Sequence, residues 1–278
     1  MDNSFARLPH RPLIGCSIQF GSIFSTQLIA RVGFDWVLID MEHNPLSSQL
    51  ATTLAHTIIA ASAGQCRPLI RVPSRAVEWT KWALDSGAAG IVVPMVQSRA
   101  DAEEVVRNAA YPPLGERSFG PLQAPFAELD PKATAATYLT QRSPNIQIIP
   151  MIESKRGLQN AEEICSTEGV TAVFIGPVDL RMSMGLKGGD GDEEEYTNAL
   201  KTIVAICKRL NRPVGTFATG EAECAKRAQD GFDFILVGCP CSFTTSNSII
   251  FEWQLTVQSV RVRRLCSFEA PKQVWQNA

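Results

Sequence analysis

Short apolar runs rich in β-branched residues recur eight times along the chain, at residues 13–19, 36–41, 68–72, 90–96, 147–152, 172–175, 213–217 and 232–237. Stretches with helical periodicity lie between them, at residues 47–63, 76–86, 100–109, 194–210 and 221–230. Strands that alternate with helices indicate βαβ units and a parallel sheet. Nearly continuous apolar strands indicate burial on both faces. Eight such units favour an α/β fold of the closed (β/α)₈ barrel type (a TIM barrel) over an open doubly wound sheet.

Glycine occupies the predicted helix-to-strand turn before the second, fourth and eighth strands, as Gly33, Gly87 and Gly231. Glycine at this place suits a left-handed cap at the carboxyl end of a helix. In a barrel these turns lie on the amino-terminal face, which serves stability rather than catalysis.

Composition limits the possible partners and the number of domains. The chain has 278 residues, 45% of them hydrophobic, with a net charge of −2 and a pI of about 6.0. It lacks the basic excess that nucleic acid or a membrane surface would require, and no apolar run approaches the roughly 18 residues of a membrane span. We expect a flexible segment at 1–12, one barrel domain at 13–265 that ends in a long helix at 242–265, and a polar tail at 266–278.

The chain contains eight cysteines but no Cys-x-x-Cys pair, so a zinc ribbon is not expected. Several of them lie inside apolar runs, where free cysteine packs as a small hydrophobic residue. The first 12 residues also have no apolar signal-peptide core. These features predict reduced thiols in a cytoplasmic protein.

Charged residues follow several of the predicted strands. Asp40 and His43 follow the second strand, Arg71 ends the third, Glu153 ends the fifth, and Asp179 comes just after the sixth. The carboxyl ends of all strands in a barrel meet at one mouth, where active sites are built. The sequence therefore predicts a polar site at this rim.

Glu153 and Asp179 are the candidate metal ligands. Two carboxylates with few neighbouring His or Cys residues suit a hard cation with oxygen ligands. Mg²⁺, Mn²⁺, Co²⁺ and Zn²⁺ all remain open. A chelating 2-oxo acid would supply two further oxygens. The alternative is that one or both are ordinary surface or helix-capping acids.

His43 and Arg71 are the candidate catalytic side chains. Histidine near its free pKa is a natural general base, and only three histidines occur in the chain. An arginine at the mouth can stabilise a developing enolate oxygen. The alternative for Arg71 is a structural ion pair with Asp40 or Glu42, and both roles are compatible.

Three further features are predicted to bind substrate. Gly176, Pro177 and Val178 form a turn into a short helix, whose backbone N–H groups suit a carboxylate or phosphate. Asp40 lies at the rim. Arg117 lies in an unusually long connection, residues 111–145, which we expect to be an ordered loop over the mouth with a short helix near 131–139.

At these residues the sequence resembles the HpcH/HpaI aldolase family, whose members are class II pyruvate aldolases. The matching segments are 34–43, 69–73, 93–97, 150–154 and 173–180. Ile-Asp-Met-Glu-His at 39–43 and Ile-Gly-Pro-Val-Asp-Leu at 175–180 are specific when they occur together in this order. The resemblance covers nearly the whole chain.

The resemblance implies metal ligands at Glu153 and Asp179, a base at His43 and an enolate-stabilising Arg71. It also implies that Asp85, supplied by a neighbouring subunit, pairs with His43. Relatives are commonly homo-oligomers (hexamers or trimers) in which the last helix packs on a neighbour. The chain departs from the usual pattern at Met151, at Arg181 and at the pair Cys239-Pro240. It also departs in the loop 115–120, which keeps Gly-x-Arg but otherwise differs.

The predicted function is a divalent-metal-dependent carbon–carbon lyase that acts on small 4-hydroxy-2-oxo acids through a pyruvate enolate. One alternative keeps the enolate and changes the reaction, as an oxaloacetate decarboxylase or a bond-forming biosynthetic enzyme like macrophomate synthase. The other alternative is a barrel that binds a metabolite without catalysis.

Overall fold

The computed structural model describes residues 11–187, 189 and 191–238. Eight parallel strands follow one another around a closed barrel, and the last pairs with the first. The strands are β1 (Leu13–Ile18), β2 (Trp36–Asp40), β3 (Arg67–Arg71), β4 (Gly90–Val93), β5 (Gln147–Ile152), β6 (Val173–Ile175), β7 (Val214–Phe217) and β8 (Phe234–Leu236). The predicted (β/α)₈ barrel is confirmed, and each predicted strand contains or nearly matches an observed one.

Ten α-helices connect the strands in the described part of the chain. They are α1 (Ile23–Val32), α2 (Ser48–Ala61), α3 (Val77–Asp85), α4 (Arg99–Ala109), α5 (Ala135–Thr137), α6 (Lys155–Gln159), α7 (Ala161–Ser166), α8 (Pro177–Ser183), α9 (Glu194–Arg209) and α10 (Gly220–Gln229). Side chains of Ser22, Ser47 and Ser98 cap the first turns of α1, α2 and α4 by accepting backbone N–H bonds, as expected for helix starts.

The three glycines of the helix-to-strand turns adopt the predicted left-handed conformation. Their φ angles are 105° at Gly33, 83° at Gly87 and 97° at Gly231. A Cβ atom is unfavourable in this region. These glycines therefore allow the chain to turn tightly from helix to strand on the amino-terminal face.

The barrel interior is filled by large side chains from alternating strand positions. Trp36 and Phe234 meet there edge to face, with ring centroids 5.8 Å apart. Gly15 and Gly215 lie directly against these two rings, where a side chain of their own would collide with them. The barrel centre is thus a packed core, separate from the larger core between strands and helices.

The prediction that the loop 111–145 covers the mouth is wrong for the single chain. The loop leaves the carboxyl end of α4 and packs on the amino-terminal face, where Gly87 touches Ala124 and Ala127. Because α4 already returns the chain to that face, the loop starts and ends there. The short helix predicted near 131–139 is α5, followed by one π-helical turn, Tyr138–Arg142.

Some predictions lie outside the described residues. These are the flexible segment up to residue 10, the helix at 242–265, its packing on a neighbour, the tail, and the pair Cys239-Pro240. Five cysteines do lie in the described part, at positions 16, 66, 165, 207 and 224, and all of them are buried. No helix in the described ranges is long and apolar enough to cross a membrane.

Candidate active site

Strand alternation explains why three of the predicted residues meet at the mouth. Leu38, Leu69 and Met151 point into the barrel core, and side chains two residues further along a strand point the same way. Those next positions are Asp40, Arg71 and Glu153. In each of these three strands, an inward-facing apolar residue is therefore followed by a charged residue at the carboxyl-terminal rim.

Asp40 and Arg71 form a two-point ion pair. They lie opposite one another in the register of β2 and β3. Nε and Nη2 of Arg71 each donate to one Asp40 oxygen at 2.7 Å, while Nη1 lies 3.2 Å from Glu42 Oε2. Asn44 Nδ2 donates to Asp40 Oδ2 at 2.9 Å. Both anticipated partners of Arg71 are therefore present, and its guanidinium group is fixed at the rim.

His43 lies on the same rim beside Glu42. Its Nε2 is 3.7 Å from Glu42 Oε2, and 63% of its side chain is exposed. Burial raises the pKa of Glu42, and nearby Asp40 and Asp179 raise it further, whereas Arg71 and His43 oppose the change. An accessible imidazole next to an acid is suited to accept a proton from a substrate hydroxyl.

Glu153 is buried at the end of β5. Its Oε1 accepts a hydrogen bond of 2.6 Å from the Met95 backbone N–H, and its Oε2 lies against Gly176, where a Cβ would come within 2.5 Å of it. Burial raises the pKa of Glu153 to about 7, the Met95 N–H opposes this, and the charges of Glu42 and Asp179 add to it. A carboxylate in such surroundings is stabilised by an added cation.

The charge balance of the rim favours a cation. Asp40, Glu42, Glu153 and Asp179 influence one another there, and Arg71 is the permanent positive charge among the groups that act on Glu153 and Glu42. Carboxylate oxygens are the ligands that hard divalent ions prefer. Within the described ranges, no group of three or more His, Cys, Asp or Glu side chains could hold a metal ion. A bound ion would therefore take its remaining ligands from water or substrate.

Gly176, Pro177 and Val178 lead into α8, and Asp179 occupies its first turn. Gly176 follows inward-facing Phe174 by two residues and lies against the Glu153 side chain. Its missing side chain leaves room for that carboxylate. The turn thus brings Asp179 to the same part of the rim as Glu153.

Asp85 and Arg117 do not lie at the mouth of their own chain. Asp85 ends α3 on the amino-terminal face, where Arg117 Nη2 donates to its Oδ1 at 2.5 Å. Arg117 is buried, donates to the Tyr138 hydroxyl at 3.1 Å and stacks on the Tyr111 ring at 4.6 Å. Neither residue can therefore contact substrate at the mouth of its own chain, so the prediction that Arg117 binds substrate from a loop over that mouth is wrong for the single chain.

Two of the residues that depart from the usual pattern, Met151 and Arg181, make contacts that support the fold. Met151 is part of the barrel core. Arg181 is buried in α8, where it contacts Glu193, donates to the Gly189 carbonyl at 2.8 Å and stacks on Tyr196. These contacts tie the helix that carries Asp179 to the start of α9.

Sequence reasoning did not predict the conformation of Met95, and it missed Arg75 entirely. Met95 has a φ of 54°, which is uncommon for a residue other than glycine. Arg75 Nη1 donates to the Met95 carbonyl at 3.2 Å. An arginine four residues after the Arg71 strand end is the only sequence signal, and by itself it indicates nothing specific.

Comparison with known proteins finds a family model and relatives that match most of this chain. The family model described as HpcH/HpaI aldolase/citrate lyase matches residues 23–244. The hydroxypyruvate/pyruvate aldolase of Chromohalobacter salexigens is 33% identical over 82% of this chain and 87% of its own length. The 5-keto-4-deoxy-D-glucarate aldolase of Klebsiella pneumoniae is 32% identical over 82% and 86%.

A solved structure of an HpcH/HpaI aldolase/citrate lyase family protein from Burkholderia cenocepacia has the same fold. It superposes with a TM-score of 0.78 at 29% identity and covers 95% of this chain and 100% of its own. The chain therefore belongs to the HpcH/HpaI aldolase/citrate lyase family, and it is a carbon–carbon lyase built on a (β/α)₈ barrel.

Proposed function

We propose that the protein is a divalent-metal-dependent aldolase that cleaves and forms 4-hydroxy-2-oxo acids, with a pyruvate-type 2-oxo acid as one product. The observation that carries this proposal is the excess of carboxylates around buried Glu153, next to the fixed guanidinium group of Arg71. Relatives named as aldolases for hydroxypyruvate or pyruvate and for 5-keto-4-deoxy-D-glucarate support this substrate class.

Glu153 and Asp179 would hold the cation, which is Mg²⁺, Mn²⁺, Co²⁺ or Zn²⁺. When bound, such an ion supplies Lewis-acid polarisation of the 2-oxo group. The two carboxylates leave coordination positions for a chelating substrate.

The remaining steps belong to the chain's own side chains. His43 accepts the proton of the 4-hydroxyl group as the bond between C3 and C4 breaks and the aldehyde leaves. The bonding electrons form an enolate, which Arg71 stabilises by its positive charge. Asp40 orients Arg71, and the backbone of Gly176, Pro177 and Val178 binds the substrate carboxylate. Protonation of C3 then yields the 2-oxo acid.

We further propose that the protein is a cytoplasmic homo-oligomer, either a trimer or a hexamer. In such an assembly Asp85 of one subunit would reach His43 of the next. Arg117 would act there as the residue that holds Asp85. The position of this pair on the amino-terminal face supports sharing, because the pair cannot serve the site of its own subunit.

The test is pyruvate release from a panel of 4-hydroxy-2-oxo acids and from oxaloacetate. The protein is assayed as purified, after metal removal with EDTA, and after addition of each of the four ions. We expect release that EDTA abolishes and an ion restores. Glu153→Gln should be inactive, and Glu163→Gln, an exposed acid of α7, is the matched control.

The choice of substrate separates the competing functions. Faster turnover of oxaloacetate than of every 4-hydroxy-2-oxo acid would identify a decarboxylase and reject the aldolase proposal. Metal binding without turnover of any substrate would point to a binding protein. Turnover that survives complete metal removal would contradict the proposed site.

A further inference from the structure

Met95 stands out in the turn between β4 and α4 because it adopts a left-handed conformation. Its φ is 54° and the residue is 44% exposed. An L-residue other than glycine disfavours this region, because its Cβ approaches the following carbonyl oxygen. Neither burial of the side chain nor a glycine explains the turn. Backbone strain of this kind is kept where surrounding contacts enforce it.

Charged side chains hold both polar groups of Met95. The N–H donates to Glu153 Oε1 at 2.6 Å, and the carbonyl accepts from Arg75 Nη1 at 3.2 Å. Hydrogen bonds with one charged partner are roughly twice as strong as neutral ones. The backbone of Met95 therefore links a guanidinium group on one side to the buried carboxylate on the other.

Arg75 is held in place by helix α4. Its Nη2 lies 3.2 Å from Asp101 Oδ1 and its Nε donates to Glu104 Oε2 at 3.1 Å. Asn108 Nδ2 donates to the Arg75 carbonyl at 3.2 Å. The planar guanidinium group thus has a fixed orientation, with Nη1 directed at the turn.

The turn is also fixed on its far side. Val96 N–H donates to the Met151 carbonyl at 3.2 Å, and Asn160 Nδ2 donates to the Gln97 carbonyl at 2.7 Å. Gln97 N–H donates to Asp101 Oδ2 at 2.9 Å. With both flanks held, the Met95 N–H has little freedom to move away from Glu153.

We infer that Arg75 is a positioning residue which, through the Met95 peptide, fixes the orientation of the Glu153 carboxylate for metal binding. This inference rests on the proposed function, since it assumes that Glu153 is a ligand. Oε1 is held by Met95 and Oε2 lies against Gly176, so rotation of the carboxylate is restricted. Outer partners of metal ligands typically change metal affinity by about 10- to 100-fold.

The test is Mn²⁺ binding to the metal-stripped full chain, measured by electron paramagnetic resonance without substrate. Arg75→Leu and Met95→Val are the test variants, because valine is β-branched and resists the left-handed region. We expect each to weaken Mn²⁺ binding about 10-fold. Arg107→Leu is the matched control, because Arg107 lies in the last turn of α4 and its side chain pairs with Glu116, at 4.0 Å, away from the Met95 turn. This variant should bind Mn²⁺ like the wild type.

Met95→Gly separates conformation from side chain. Glycine tolerates the positive φ and keeps the N–H, so we expect Mn²⁺ affinity within about twofold of wild type, with an unchanged KM for the best substrate. In Arg75→Leu, we expect kcat at saturating Mn²⁺ to recover most of its loss, as a defect in ion binding requires. Circular dichroism establishes that each variant is folded.

The outcomes distinguish this inference from the proposed function. Unchanged Mn²⁺ affinity in folded Arg75→Leu would overturn the inference, and so would a Met95→Gly defect as large as that of Arg75→Leu. If Glu153→Gln binds Mn²⁺ as tightly as the wild type, the proposed metal site itself fails. If Met95→Val does not fold, Arg75→Leu and Met95→Gly still test whether Arg75 positions Glu153.

Discussion

The carboxylate of Asp40 and the guanidinium group of Arg71 make two parallel hydrogen bonds of 2.7 Å between neighbouring strand ends. Only 1% of the Asp40 side chain is exposed. The bidentate geometry fixes the plane of the guanidinium group. Arg71 is thus both a part of the fold and a fixed charge at the mouth.

Arg71→Leu should destabilise the fold by roughly 3–5 kcal/mol, because it leaves Asp40 buried without its cation. Adding Asp40→Asn should restore at least half of that loss, since the buried charge is then gone. Urea unfolding of both variants measures the effect. Equal stability of Arg71→Leu and the wild type would contradict it, and neither variant should retain turnover.

Metal-free protein should lose stability as pH rises. Burial raises the pKa of Glu153 from 4.5 to about 7 in the folded chain, so the folded state binds more protons than the unfolded state between these values. The contribution of Glu153 to the free energy of unfolding is fully present below pH 4.5. It is lost as pH rises through 7, by roughly 3 kcal/mol.

Urea unfolding of EDTA-treated protein between pH 5 and pH 8 checks this prediction, with Glu153→Gln as the reference. The variant should lack the Glu153 contribution to the pH dependence. Mn²⁺ should bind more weakly below about pH 7, because the proton competes with the ion. A wild-type stability profile that coincides with that of Glu153→Gln would reject the prediction.

His43→Asn should reduce kcat by roughly 10²- to 10⁴-fold, as expected for loss of a general base. Its side chain is 63% exposed, so stability should change by less than about 0.5 kcal/mol. Steady-state kinetics and thermal unfolding provide the two measurements. Glu163→Gln, the exposed acid of α7, is again the control and should keep its kcat.

Asp85→Asn and His43→Ala should each be inactive as pure proteins, yet regain activity when co-expressed. If a site combines His43 of one subunit with Asp85 of another, about a quarter of the sites in random mixed oligomers keep both residues. Activity of purified mixed oligomers tests this. No recovery in verified mixed oligomers would show that the two residues do not share a site.

The fold could be predicted well because its signals are local. For example, Leu38 and Asp40 are two residues apart in one apolar run. Together they indicate a strand, its side facing the core, and the end of the strand at the rim. The left-handed turns at Gly33 and Gly231 could be predicted because only one residue type suits that conformation freely. The periodicity of the apolar residues and the residue types in the turns were therefore enough to predict most of the architecture.

The position of loop 111–145 was predicted wrongly because its length was taken as a sign of function. The helix before it had already brought the chain back to the amino-terminal face. Each strand takes the chain to the carboxyl-terminal face and each helix returns it to the amino-terminal face. Following this alternation through α4 would have placed Arg117 on the amino-terminal face. This is a matter of topology and needs no side-chain information.

The link from Arg75 through Met95 to Glu153 could not be predicted. Its members come from three separate segments of the chain, and its central group is a backbone amide. A methionine in a sequence does not indicate a positive φ, so the value of 54° at Met95 could not be predicted. Contacts of this kind depend on three-dimensional positions that periodicity and motifs do not contain.

The close approach of Gly15 to the Trp36 ring has an evolutionary consequence. The two positions lie opposite one another in β1 and β2, and a side chain at the first would take the volume that the indole ring fills. A change at either position is therefore tolerated only with a compensating change at the other. Across related sequences, residue size at positions 15 and 36 should be inversely correlated.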